Sequence, residues 1–428
     1  MKNFMVKWRS SIAQGGGGAL LLYFIYGTLL LFFLMAIIHD RTDLELKLRL
    51  DSRSEKTIMV WINHGYFKHG GLRFLKPAEK GVSDNIHGSS NMIGLQIGHI
   101  LQRVNIYFGG EFSHRLLVFS NQITPLISSV LLGFLAMRLT LNMNIPYMQT
   151  FLLGACVVTI HQTLPLNLGL VWGLYKQAAI ALFAILFLVI EEHYFRKGAS
   201  LLTTFSRGSV VFFMAGCDVS GAVFFLATYY MFLVLSMPCQ FKLYGIFKNV
   251  LLPALGGFGL LLTQLFWVRY SFPNISFSSS NPLIRTGFDG GTKYYFNHSD
   301  LFSDKWLHNL PGSNPLFFCG FLALVGVVAF IQKKKLYFSQ QLILLSGLGC
   351  FLCFAFLFSQ NVIIHSYSFQ LYLAWPLILA LFALLPAWLE VFSLYSGVFV
   401  FISCVFTFFV SGSQLLAYWL SMPPLWYL

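Results

Sequence analysis

Long apolar runs recur along the whole chain, separated by short polar segments. Runs of about 18 residues or more are the length a helix needs to cross a bilayer. They fall at 18–39, 116–137, 147–163, 170–190, 249–268, 315–332, 338–358, 366–385 and 391–411. A further stretch, 209–238, is too long for one ordinary span and is broken by Cys-Asp-Val-Ser-Gly at 217–221. Basic residues precede and follow it (Arg207, then Lys242 and Lys248), so both ends belong on one side. That requires a hairpin of two short helices with Asp218 at its tip. The pattern predicts an all-α polytopic membrane protein of about 11 transmembrane helices, within a range of 10–13, built as one integral domain over 1–428.

Two polar stretches are long enough to carry structure of their own. The first, 40–115, opens with Leu44-Glu-Leu-Lys-Leu-Arg-Leu-Asp51, which alternates strictly. Period two is the strand signature. With the turn Ser52 to Lys56 and the apolar run Thr57 to Ile62, it predicts a β-hairpin. Residues 92–104 place apolar side chains at helical spacing around Gln96, His99, Gln102 and Arg103, which predicts a helix lying in the membrane interface. The second polar stretch is 269–314.

Charge orients this frame. The net charge is +13, with 10% charged residues, 57% hydrophobic residues and a mean hydropathy of +0.70. Basic residues cluster between apolar runs: Lys2, Lys7 and Arg9, then EEHYFRKG with Arg207, then Lys333 to Lys335. This is a topological bias rather than a nucleic-acid footprint, so no nucleic-acid partner is expected. The N-terminus is cytoplasmic, the first apolar run is a retained span, and both long polar stretches lie on the opposite, non-cytoplasmic face. The seven cysteines avoid those two stretches, which argues against a disulfide framework. No cluster has metal-ligand spacing, so no metal or other cofactor is expected.

Ionisable residues at or near helix ends are the candidate chemistry, because a charge at membrane depth needs a reason. Asp218 at the hairpin tip and His365 at the start of HSYSFQLYLAWPL are two. Arg285 and Lys293 stand among glycines and aromatics in NPLIRTGFDGGTKYYFNHSDLF, where Arg suits bidentate phosphate contact. His64 lies in the aromatic, histidine-rich INHGYFKHGGLRF.

Several stretches together resemble the GT-C superfamily of membrane glycosyltransferases, and within it the protein-mannosyltransferase and aminoarabinose-transferase group. They are the basic N-terminus with its first span and long outer loop, FGGEFSHRLL (108–117) entering span 2, LYKQAAIALFAILFLVIEE, the short helix pair around Asp218, and HSYSFQLYLAWPL. The resemblance is one of layout over most of the chain. It implies transfer of a sugar from a polyprenyl-phosphate donor to an acceptor glycan, lipid or protein on the non-cytoplasmic face. A carboxylate would act as base and a cation would stabilise the departing phosphate. The group carries an acidic pair before a short helix that ends in glycine. Counting back from Gly70 reaches Glu55, and Asp40 and Asp43 are the other candidates. At Lys176-Gln177, where the group often has a second acid, this chain has an amide. Arg285 and Lys293 would meet the phosphate, and Asp218, His365 and His64 would position substrate. A lipid flippase or transporter, a polysaccharide polymerase or ligase, and a non-catalytic relative are the competing classes.

Overall fold

A computed structural model describes residues 16–49, 52–69, 71, 93–141, 145–164, 167, 176–198, 200–217, 219–236, 242–272, 375–384 and 392–420. In chain order the helices are α1 (Gly17–Arg49), α2 (Ser52–His64), α3 (Ile93–Tyr107), α4 (His114–Thr140), α5 (Tyr147–Gln162), α6 (Lys176–Lys197), α7 (Leu201–Cys217) and α8 (Val219–Ser236). Then α9 (Lys242–Ile246) runs through a π-helical turn (Phe247–Leu251) into α10 (Leu252–Ser271). A second π turn, Ala380–Leu384, precedes α11 (Phe392–Leu420). No strand occurs among the described residues. Four stretches of these helices are long and apolar enough to cross a membrane: Gly17–Ile37, Arg115–Thr140, Leu243–Ser271 and Gly397–Leu416. The expected spans at 315–332 and 338–358, and nearly all of the second polar stretch, lie outside the described residues.

The β-hairpin expected over 44–62 is replaced by helix. Residues 44–49 continue α1, and 52–64 form α2. The alternating segment holds Leu, Glu, Lys and Arg, all strong helix formers, and no β-branched residue. In α2 the buried positions are Thr57, Ile58, Val60 and Trp61, while Met59, Asn63 and His64 are exposed. The helix stops at Gly65, whose φ of 95° and bond from its amide to Trp61 O (3.2 Å) make a left-handed cap. Ile58 and Trp61 pack with Leu95 of α3 and Leu117 of α4. The helix expected at 92–104 is present as α3. Gln102 fixes its exit, donating to Ser113 O (2.5 Å) and accepting from Ser113 N (3.0 Å).

The chain forms two compact units. One comprises 1–37, 125–168 and 296–428, the other 38–124 and 169–295. In the first, pairs along the helices fix direction. Ser129 meets His161, and Gly133 meets Gly154 and Val158, so α4 and α5 run antiparallel. Cys156 meets Cys404 (3.7 Å between sulfurs) and Thr163 meets Ser411 (3.0 Å), so α5 and α11 run parallel. Tyr23 stacks on Phe151 and Gln162 reaches Gly27, so α1 runs parallel to α5. Those directions agree with the alternation expected for spans 1, 2, 3 and 11.

The second unit behaves likewise. Glu191 meets Arg207 and Phe183 stacks on Phe213, which makes α6 and α7 antiparallel. Phe187 meets Phe225 and Glu191 meets Tyr229, which makes α6 and α8 parallel. α7 and α8 therefore reverse between Cys217 and Val219, as the hairpin requires, although its first arm starts at Leu201 rather than 209. Gly257 lets α10 approach α7: a Cβ there would stand 2.5 Å from Val211 Cγ1 and 2.8 Å from Gly208 O.

Candidate functional site

Among the carboxylates expected to serve catalysis, Asp40 and Asp43 lie on the extension of α1 beyond its apolar stretch, less than one turn apart. Glu55 stands in the first turn of α2, half-buried, and His64 is its last residue, exposed. They stand nine positions apart along the helix, about 13 Å along the axis and on opposite faces. The structure therefore does not bring Glu55 and His64 together. Asp218, Arg285, Lys293 and His365 lie outside the described residues.

After α2 comes a compact turn of aromatic and histidine residues, which no simple sequence period marks. Tyr66 stacks on His99 of α3 (5.1 Å between centroids, 13°), and Trp61 meets the same ring edge-on (5.7 Å). Gln96 donates to Gly71 O (3.3 Å). Gly71 has φ 66°, and a Cβ there would stand 2.6 Å from the Tyr66 hydroxyl, so only glycine fits. His69 is buried, with Nδ1 2.8 Å from Gly65 O, and faces Phe272. The end of α10 joins the same turn where Trp267 Nε1 donates to Phe67 O (3.4 Å). Burial pushes the His69 imidazole below its ordinary value, against its bond to Gly65, and Lys68 pushes the same way. His99 is lowered by burial and then by Arg103. Both rings are held toward the neutral form, the form that accepts a proton or hydrogen bond.

A second polar group lies deep in the helices. Glu191 of α6 and Arg207 of α7 form a bidentate ion pair, each 1% exposed, through Nε to Oε1 and Nη2 to Oε2 (3.3 Å). Tyr229 of α8 donates to the same Oε2. Arg207 Nη2 also donates to Asn249 O (2.8 Å) in the π turn. Tyr194 donates to Asn249 Oδ1 (2.6 Å), and its ring lies under the guanidinium (4.7 Å). A buried pair persists only when its remaining donors and lone pairs are satisfied, and here four elements supply them. In the sequence Arg207 has the appearance of a loop charge. It belongs instead to the second turn of α7, because the α6–α7 turn closes within 198–200. The signal available is the Glu191-Glu192 pair, placed before the last turn of a long apolar helix.

In the first unit, the end of α5 makes a third group. His161 Nδ1 meets Ser129 Oγ of α4 (2.7 Å), Gln162 Nε2 donates to Gly27 O of α1 (3.1 Å), and Thr163 Oγ1 bonds Ser411 Oγ and Gln414 Oε1 of α11 (3.0 Å each). No cluster of three or more metal-ligating side chains occurs among the described residues.

Compared with protein-family models, with curated proteins and with solved structures, the chain matches none.

Proposed function

We propose that this protein transfers a sugar from a polyprenyl-phosphate carrier to an acceptor on the non-cytoplasmic side of a membrane, in the manner of the GT-C enzymes its sequence resembles. The observation that supports this most is the order of elements at the start of the chain. An apolar helix long enough to cross a membrane continues past Ile37 into Asp40 and Asp43. A short amphipathic helix ending on a left-handed glycine, Gly65, comes next, then α3 and then the apolar α4. With α2 taken as the glycine-ended helix of that layout, the acids preceding it are Asp40 and Asp43, and Glu55 falls inside it. Asp40 or Asp43 is therefore the favoured base.

In the proposed reaction an acceptor hydroxyl gives its proton to that carboxylate as its oxygen attacks the anomeric carbon. The bond from that carbon to the carrier phosphate breaks, and the phosphate leaves with the electron pair. Arg285 and Lys293 would stabilise its charge. Asp218, His365 and His64 would hold the sugar and acceptor.

The test is a transfer assay in proteoliposomes with a panel of radiolabelled polyprenyl-phosphate sugars and extracted membrane acceptors. Asp40→Asn or Asp43→Asn is expected to lower the rate by roughly 10²–10⁴-fold, the usual worth of a positioned base, while Glu55→Gln stays close to the unaltered protein. Unchanged transfer in both Asp variants removes the base assignment.

A second reading, a lipid flippase or transporter, draws support from the Glu191–Arg207 pair, since ionisable residues deep in apolar helices often mark transport paths. Movement of labelled carrier across the bilayer without covalent change to it would favour that reading.

A further inference from the structure

At one end of the second unit two helices begin side by side. Arg207 of α7 bonds Asn249 in the π turn, Gly208 faces Pro253, and Val211 stands against Gly257. The numbers rise together, so α7 and the α9–α10 helix run parallel and their first turns lie level. Both first turns expose apolar side chains at the same spacing: Leu201, Leu202 and Phe205 on α7, and Leu243, Tyr244 and Phe247 on α9 and the π turn. These six are 56–90% exposed. Leu243 opens a stretch long and apolar enough to cross a membrane, and the charged segment EEHYFRKG ends just before α7. The six side chains therefore stand where apolar helices meet the membrane surface, within reach of acyl chains.

Two lysines border them. Lys197 is in the last turn of α6, three residues after Tyr194 and so on the same side of that helix. The Tyr194 hydroxyl donates to Oδ1 of Asn249 (2.6 Å), the residue next to Lys248. Lys248 Nζ lies 5.8 Å from the centre of the exposed Tyr244 ring, which keeps its charge beside the apolar surface. α6 and the π turn thus bring both lysines to one corner. The acids nearby in sequence are engaged elsewhere, Glu191 by Arg207 and Glu192 by Arg196 (3.9 Å). Among the described residues neither lysine has a carboxylate partner. Two cations beside a lipid-facing apolar surface match an anion that carries acyl chains.

We propose that this corner binds an anionic phospholipid of the adjoining leaflet, its phosphate held by Lys197 and Lys248 and its acyl chains lying over the two exposed first turns. Lysine puts a compact charge on a flexible stem, which suits a headgroup phosphate. The stem packs along apolar surface while the ammonium stays at headgroup level. The site is independent of both functional readings above.

The test is native mass spectrometry of the full-length protein, titrated with phosphatidylglycerol or phosphatidylcholine of identical acyl chains. The first phosphatidylglycerol is expected to bind roughly 25-fold more tightly than the first phosphatidylcholine, about fivefold for each lysine. Lys197→Gln/Lys248→Gln should abolish that preference and leave phosphatidylcholine binding unchanged. The charge-matched control Lys56→Gln/Lys68→Gln, at exposed positions on and after α2, should retain it. Leu201→Ser/Leu243→Ser should weaken both lipids alike, because it removes apolar contact and spares the charge. Should the double lysine variant fail to accumulate, Lys248→Gln alone must lower the preference about fivefold. Equal affinity for the two lipids in the unaltered protein, a preference that survives the lysine substitutions, or one lost equally in the control overturns the proposal. Displacement of the lipid by an equal concentration of glycerol phosphate also overturns it, since the corner would then be a site for free phosphate.

Discussion

Arg207→Ala destabilises the protein by about 3–5 kcal/mol, because it leaves the Glu191 carboxyl buried without its guanidinium partner. Arg207 binds both carboxylate oxygens and the Asn249 carbonyl, so its loss uncovers polar groups on two elements. The π turn is exposed to the same change, since an i→i+5 turn leaves carbonyls that a neighbouring donor must satisfy. Glu191→Leu is expected to be equally damaging, stranding the guanidinium and the Tyr229 hydroxyl. The double variant Glu191→Leu/Arg207→Met removes both charges together. Each single loss is dominated by the uncompensated partner, so the double variant should be less destabilised than either single one, with a coupling of about 2–3 kcal/mol. Thermal unfolding of the purified protein in nanodiscs measures the three midpoints. Additive losses would mean that the pair is not coupled as described.

The next largest effect belongs to Gly133 and Gly154, where the backbones of α4 and α5 meet. A Cβ on Gly133 would stand 2.6 Å from Gly154 O, and one on Gly154 would stand 2.7 Å from Gly133 O and overlap the Tyr23 hydroxyl. Backbone cannot turn aside as a side chain can, so the helices would have to separate. Small residues permit the van der Waals approach on which helices in lipid depend. Alanine at either position is expected to cost about 1–3 kcal/mol, in line with overpacking elsewhere. Gly154→Leu is expected to prevent accumulation of folded protein. Gly259→Ala is the control, because nothing lies within 4 Å of a Cβ there, and it should be tolerated. Fluorescence-detected size-exclusion chromatography after graded heating ranks the four variants. Equal tolerance at Gly154 and Gly259 would contradict the close crossing.

The helices are readable wherever a long apolar run meets a helix-breaking boundary. The α7–α8 reversal between Cys217 and Val219 is foreseeable because basic residues bracket one overlong run. Residues 44–62 mislead for two physical reasons: in 44–49 alternation describes hydrophobicity, whereas Leu, Glu, Lys and Arg carry intrinsic helix preference that alternation ignores, and in 57–62 the packing of Ile58 and Trp61 against Leu95 and Leu117 overrides β-propensity. Arg207 misleads because a basic residue between apolar runs looks the same whether a turn or a buried carboxylate receives it. The polar group at the end of α5 cannot be read from the chain. His161, Gln162 and Thr163 find partners 32, 135 and 248 residues away, and no local pattern encodes those distances. The proposed glycosyltransferase reading draws on the order of α1 to α4, and within that proposal Asp40 or Asp43 is preferred to Glu55 because of where α2 and its Gly65 cap stand.

The claim on which the functional proposal depends is sidedness: the α2–α3 segment must face the non-cytoplasmic compartment. The most direct test is labelling with a membrane-impermeant maleimide in intact cells, after all seven native cysteines are replaced. Single cysteines are placed at Lys68, exposed in the turn after α2, and at Lys197, exposed at the end of α6. The account predicts that Lys68→Cys reacts in intact cells and Lys197→Cys only after permeabilisation. The reverse pattern, or labelling of both in intact cells, would contradict it.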